Sequence, residues 1–202
     1  AGLTVIAGRR RGGTAILAGP RVRLRHAETR LLRPFPGLER RALTVAVVEL
    51  AAASPAGARL AVGCVHLDLH GGARLRHTAQ AAAVLAQAAA RFEAAAVLAG
   101  DVNEPPGGPV WGYLAGLGFT DCHAAAPRGG GATFPARRPG ARIDAVFAGP
   151  GTAPLSAGVP EADPGDLAAA SDHLPVLAEL RLLGGPERHD RAPGAAGRTI
   201  CS

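Results

Sequence analysis

Two runs of nine residues, 42–50 (ALTVAVVEL) and 59–67 (RLAVGCVHL), constrain this chain most. Both are rich in β-branched residues, and SPAGA lies between them. Runs of that length and composition, separated by turn formers, read as two strands of a hairpin. Other short apolar runs repeat the theme. Residues 13–18 and 21–25 read as strands joined at Gly19-Pro20, 95–100 as a short buried strand, and 142–148 and 174–182 as two more. Residues 26–40 carry Pro34, Pro36 and Gly37 and read as a loop. In 74–92, Leu75, Ala79, Ala82, Leu85 and Ala89 recur at helical spacing, and a second helix runs from Pro109 to Leu117, closed by Gly118. Paired strands mixed with two helices imply α/β or α+β layers. At 202 residues, 48% of them apolar, one domain over 1–183 can bury a core of its own. The Gly/Pro/Arg-rich segment 184–202 has no periodicity and reads as a disordered tail.

Charge is informative in its placement rather than its total. The net charge is +6 and every one of the 22 basic residues is Arg, a bias better ascribed to genome composition than to function. Residues 1–41 hold ten Arg against Glu28 and Glu39, whereas the remaining chain holds twelve Arg against fourteen acids. A basic N-terminal face could steer a polyanion; a solvated set of arginines would look the same. Three cysteines, Cys64, Cys122 and Cys201, have no paired spacing, which argues against a disulfide framework or zinc knuckle. Cys64, in an apolar strand, reads as a core residue. No apolar run is long enough to span a membrane.

Four polar segments stand at the ends of the predicted strands. In Gly100-Asp101-Val102-Asn103 a buried strand ends and offers a carboxylate and an amide two residues apart, on one side if the chain stays extended. Asn103 is the only Asn in the chain. Ser171-Asp172-His173 places an acid beside an imidazole at the mouth of a strand. Asp144, opening the strand at Arg142-Ile143-Asp144, needs a partner if buried, and His173 is the obvious one; such a contact fixes the tautomer and raises basicity. In Val65-His66-Leu67-Asp68-Leu69-His70, strand alternation would set His66, Asp68 and His70 on one face. His66 could then face a phosphate oxygen, or the stripe could hold a transition metal.

Taken in order, HLD (66–68), GDVN (100–103), RID (142–144) and SDHLPV (171–176) resemble the endonuclease/exonuclease/phosphatase family of metal-dependent phosphoesterases. GGTAIL near the start, WGYLAGLGFTD and TFP at 133–135 are also similar, and the resemblance covers roughly residues 12–182. It implies a four-layer sandwich, two packed mixed β-sheets flanked by helices. The implied activity is divalent-metal-dependent hydrolysis of phosphodiester or phosphomonoester bonds, with Mg²⁺ and, as an acceptable substitute, Mn²⁺. By resemblance Asp101 would position or deprotonate the attacking water or serve the leaving group, and with Asp172 would bind the ion. Asn103 and His66 would hold phosphate oxygens, and His173, oriented by Asp144, would contact the phosphate and move a proton. Arg41, or Arg40, would match a phosphate-contacting Arg.

The implied partner is a phosphate ester, whether nucleic acid, phospholipid or small molecule, bound by a monomer. The family's opening Asn strand and Gln-Glu strand have no counterpart in this sequence, and Tyr113 does not match the family's active-site Tyr. The N-terminal β-α-β portion is therefore expected to be missing and catalysis by this chain to be impaired. The contrasting expectation is an inactive fragment or binding module that uses the Arg-rich face for nucleic acid or acidic lipid.

Overall fold

The computed structural model describes residues 2–8, 13–50 and 57–183. The expected tail at 184–202 lies outside them.

The scaffold of the site is a six-stranded mixed sheet. Two strands at the start of the chain, β1 (Thr4–Gly8) and β2 (Ala15–Ala18), pair with each other. The sheet itself comprises β3 (Val22–Leu31), β4 (Ala42–Leu50), β5 (Arg59–His66), β6 (Ala95–Asp101), β7 (Thr120–Asp121) and β8 (Asp144–Ala148), in the order β3-β4-β5-β6-β8-β7. The β4–β5 pair is antiparallel, as the two flanking runs required. Between β5 and β6 the chain crosses over through α1 (Gly71–Arg91), so that β5 and β6 run parallel. Such a crossover needs about a dozen residues or more, which this helix supplies. Two shorter helices, α2 (Pro109–Gly116) and α3 (Cys122–Ala125), flank β7. After β8 come β9 (Thr152–Gly158), α4 (Pro164–Ala170) and β10 (Leu177–Leu182), with β9 and β10 paired antiparallel. The result is a mixed α+β fold with helices flanking the larger sheet.

One face of that sheet is covered by helices. Leu43, Val45 and Val47 of β4, Val65 of β5, Leu98 of β6 and Phe147 of β8 pack in one cluster with Leu85 of α1 and with Trp111 and Leu114 of α2. Each fully buried side chain of this kind contributes about 1.5–3 kcal/mol. Phe147 meets the Trp111 ring edge-on, with centroids 4.9 Å apart. The other face carries the strand pairs. Thr14, just before β2, shares a 2.8 Å hydrogen bond with Thr44 of β4, and Ala157, Ala178 and Leu180 of the β9–β10 pair pack on Val146 and Ala148 of β8. Covered on both faces, β4 is buried along most of its length, which explains its unbroken apolar run.

Several boundaries differ from the sequence reading. β2 and β3, the two strands joined at Gly19-Pro20, take different partners: β2 pairs with β1, and β3 with β4. β3 continues to Leu31 through a stretch expected to be loop. It is an edge strand, where charged side chains are tolerated on exposed positions. The α1 helix begins earlier than expected because His70 caps it, its Nδ1 accepting from Ala73 N at 3.3 Å. The buried seam of α1 runs through Ala73, His77, Ala81, Leu85 and Ala88 rather than through Leu75 and Ala89. His77 can be buried there because its Nε2 pairs with the Arg33 carbonyl at 2.8 Å. Cys64 is half-buried and Cys122 buried, both as free thiols. No helix among the described residues is long and apolar enough to cross a membrane.

Candidate active site

Strand register builds the core of the site. His66, the last residue of β5, lies opposite Asp101, the last residue of β6. Asp101 in turn lies opposite Asp144, the first residue of β8. Adjacent strands are about 4.8 Å apart, so three ionisable side chains from three strands form one row at the sheet's end. Gly100 makes the row possible. Its φ is +139°, and a Cβ there would stand 1.9 Å from the Val65 carbonyl oxygen, so only glycine lets β6 close on β5 at this point.

The GDVN loop then turns sharply. Asn103 has a φ of +50°, a left-handed conformation that Asn tolerates better than most residues. Its backbone N–H donates to Asp101 Oδ1 at 2.8 Å, and its side-chain amide donates to the Leu67 carbonyl at 3.0 Å. Asp101 and Asn103 thus face one pocket through a turn, not through the extended alternation expected from sequence.

His173 reaches the row from the other layer. Its Nδ1 lies 2.7 Å from Asp144 Oδ2, the pairing the sequence suggested, and the Phe134 ring packs on the imidazole with centroids 4.8 Å apart. Thr133, fully buried, ties Asp144 to the residue after His173: its Oγ1 accepts from Asp144 N at 3.4 Å, and its carbonyl accepts from Leu174 N at 2.7 Å. The TFP segment that carries Thr133 and Phe134 therefore supports the pair. Asp172 is anchored through its carbonyl, which accepts from Ala136 N at 2.7 Å.

An open pocket of about 400 Å³ is lined by Arg41, His66, Leu69, Asp101, Asn103, Asp144, Asp172 and His173. Every candidate site residue carried by the family resemblance is in it. Arg41, rather than Arg40, lines the pocket; its Nε is buried, without a hydrogen-bond partner, and 3.7 Å from Asp68 Oδ2. Leu69 was not anticipated. It is 76% exposed at the pocket rim, and nothing in its residue type distinguished it. A larger cleft of about 760 Å³, between the 129–139 loop and α4, is lined mainly by Gly, Ala and Pro and gathers no comparable set of ionisable groups.

The HLDLH stripe does not form. β5 ends at His66, Asp68 turns inward to accept from His70 N at 2.8 Å, and His70 caps α1. Alternation fails because helix capping takes over directly after the strand. A transition-metal site on that stripe is therefore ruled out by the geometry.

Charge is unevenly shared in the pocket. Burial raises the Asp101 pKa above the ordinary carboxylate value, the Asn103 N–H opposes the rise, and the neighbouring Asp144 adds to it. Burial lowers the His66 pKa, and Arg41 lowers it further against the pull of Asp101, 3.4 Å away. Burial alone would lower that of His173, but the Asp144 hydrogen bond and the charges of Asp144, Asp101 and Asp172 leave it raised. Compared with an ordinary carboxylate and imidazole, Asp101 is thus biased toward accepting a proton and His173 toward holding one.

Donor atoms of Asp101, Asp144 and His173 lie within 4.8 Å of one another. The two carboxylates, in a partly solvated pocket, suit a hard divalent cation that keeps several waters, and the imidazole stands beside them, held by Asp144. The repulsion between Asp101 and Asp144, which adds to burial in raising the Asp101 pKa, is what such a cation would relieve.

Comparison with known proteins decides the family. The sequence pattern of the Endonuclease/Exonuclease/phosphatase family matches residues 6–173. The chain belongs to that family. Endonuclease/exonuclease/phosphatase proteins are phosphoester-hydrolysing enzymes, and the four motifs of this chain fall at strand ends around one pocket. No curated protein matches the sequence significantly. Among solved structures, an endonuclease/exonuclease/phosphatase from Bacteroides vulgatus is similar with 23% identity and a TM-score of 0.68, over 80% of this chain and 67% of that one. The mannosyl-6-phosphatase Bt3783 of Bacteroides thetaiotaomicron is similar with 16% identity and a TM-score of 0.70, over 83% and 70%. The human nocturnin catalytic domain, solved with a bound sulfate anion, shares 17% identity and a TM-score of 0.60, over 80% and 60%. At these identities the likenesses establish the fold.

Proposed function

We propose that the chain hydrolyses phosphoester bonds with the help of Mg²⁺ or Mn²⁺ held in this pocket. The observation carrying the proposal is the in-register row of His66, Asp101 and Asp144, closed by His173 from the opposite layer. Asp101, with Asp144 or Asp172 beside it, would hold the cation, which supplies positive charge against the phosphate oxygens and lowers the pKa of water. The remaining chemistry falls to the side chains. Asp101 also orients the attacking water and takes its proton. Water oxygen bonds to phosphorus as the bond to the leaving oxygen breaks. His173, aimed by Asp144 and biased by it toward the protonated form, donates to the phosphoryl group, where negative charge accumulates. The Asn103 amide, neutral His66 and Arg41 contribute further donors to the phosphate oxygens.

Nucleic acid, phospholipid and small phosphate esters all present this group. Among the described residues the pocket lining has three aspartates and no glutamate, so slow turnover by this polypeptide alone is part of the proposal.

The test is hydrolysis of bis-p-nitrophenyl phosphate at high protein concentration in Mg²⁺ or Mn²⁺. Expected is a low rate abolished by EDTA and reduced at least about 100-fold in Asp101→Ala and His173→Ala, the usual scale of acid–base contributions. A rate indifferent to EDTA or to both substitutions would overturn the proposal. Binding of nucleic acid that survives both substitutions, without hydrolysis, would favour a binding module instead.

A further inference from the structure

We infer that Arg74 and Glu104 are positioning residues, a buried clamp that holds Asn103 in place for a phosphate oxygen. The inference rests on reading the pocket as a phosphate site.

Glu104 follows Asn103 directly and is only 5% exposed. Its Oε1 accepts from Arg74 Nε at 3.1 Å and Nη2 at 3.0 Å. Its Oε2 accepts from Val110 N at 2.7 Å, and its carbonyl accepts from the Trp111 indole at 3.0 Å. The third guanidinium nitrogen of Arg74, Nη1, donates to the carbonyls of Asp68 and Leu69 at 3.1 and 2.9 Å. One ion pair therefore ties the loop after His66 to the loop after Asp101. Asn103 bridges the same two loops from the pocket side through its bond to the Leu67 carbonyl.

Two features show that this pair serves geometry rather than bulk stability. A buried ion pair is often no more stabilising than well-packed apolar residues of similar volume, so its benefit lies in direction. The surroundings are also shaped around the carboxylate: a Cβ on Gly108 would stand 2.3 Å from Glu104 Cδ. Held from both sides, Asn103 keeps its left-handed backbone, which an unsupported loop would relax.

The chain carries a single Asn and a single Trp, so selective ¹⁵N labelling isolates the Asn103 side-chain amide and the Trp111 indole. Glu104→Gln preserves volume, but whichever way its amide turns, an NH₂ group opposes either Val110 N–H or Arg74. Gly108→Ala keeps the charge and presses the clamp from the other side; Gly108 has φ −76°, which alanine adopts freely. In both variants the Asn103 amide signals should move together with the indole signal. The affinity for inorganic phosphate in Mg²⁺, read on the Asn103 signals, should fall about tenfold or more, the usual scale for residues that orient a ligating group. Unmoved Asn103 signals and unchanged phosphate affinity in both folded variants would overturn the inference and leave the pair a structural contact. Should the unsubstituted chain bind no phosphate while Asn103 still moves in both variants, the clamp is supported and the phosphate-site reading fails.

Discussion

Asp144→Asn removes one negative charge from the His173 partner and leaves its volume unchanged. The 2.7 Å contact joins groups whose side chains are 19% and 26% exposed. A charge-assisted hydrogen bond contributes roughly 1.5–3 kcal/mol and a neutral one roughly 0.5–1.5 kcal/mol. With partial solvent screening the substitution should cost about 1 kcal/mol at pH values where His173 is protonated. The sign of its pH dependence follows from the raised His173 pKa. Stability from the pair is fully present below the unfolded-state value of about 6.5 and is lost as pH rises through the higher folded-state value. Urea unfolding of the metal-free protein, across a pH series that brackets this window, should show a gap between the unsubstituted protein and the Asp144→Asn variant that narrows as pH rises. NMR titration should show the His173 pKa falling in the variant. Hydrolysis should drop about 100-fold or more, because the imidazole loses both its orientation and its bias toward protonation. A stability gap constant over pH, or a His173 pKa that does not fall, would refute the reasoning.

Gly100→Ala places a methyl group where the Val65 carbonyl oxygen stands, on a residue with φ +139°; unfolding free energy should fall by more than about 3 kcal/mol, and a loss below about 1 kcal/mol in urea would show that β6 can move aside. Asp121 is held against Arg142 by two hydrogen bonds of 2.9 and 2.7 Å. Burial alone would raise its pKa, but Arg142 holds it below the ordinary value. Its stabilisation is therefore present above about pH 4 and lost as pH falls through the lower folded-state value, so Asp121→Asn should flatten the acid limb of the unfolding profile. Leu69→Ser, at a side chain 76% exposed, should leave stability within about 0.5 kcal/mol, which thermal unfolding can check.

The site's strand ends were legible because the apolar runs of β5 and β6 stop at polar or glycine residues, His66 in one and Gly100-Asp101 in the other. That contrast located His66, Asp101 and Asp144, and the rarity of buried carboxylates paired Asp144 with His173. Other parts were hidden for identifiable reasons. β3 is an edge strand whose Arg, His and Glu residues mask its pattern. β9 carries Pro154 and small residues, so its strand signal is weak. Gly71 and Gly72 hid the start of α1, where a histidine cap outweighs low helix propensity. The Arg74–Glu104 clamp joins residues 30 apart in sequence, and no local pattern announces such a contact. The separation of Asp68 and His70 from the pocket depends on where β5 stops, which alternation alone cannot decide.

In the proposed function, one end of the larger sheet gathers a divalent ion and a phosphate. Anomalous diffraction from crystals soaked in Mn²⁺ and inorganic phosphate addresses it directly. A single strong Mn²⁺ peak at about 2.2 Å from carboxylate oxygens of Asp101 and of Asp144 or Asp172, with phosphate oxygens beside Asn103 and His173, is the expected map. Mn²⁺ bound only elsewhere, or a pocket that takes up neither ion at saturating concentration, would contradict it.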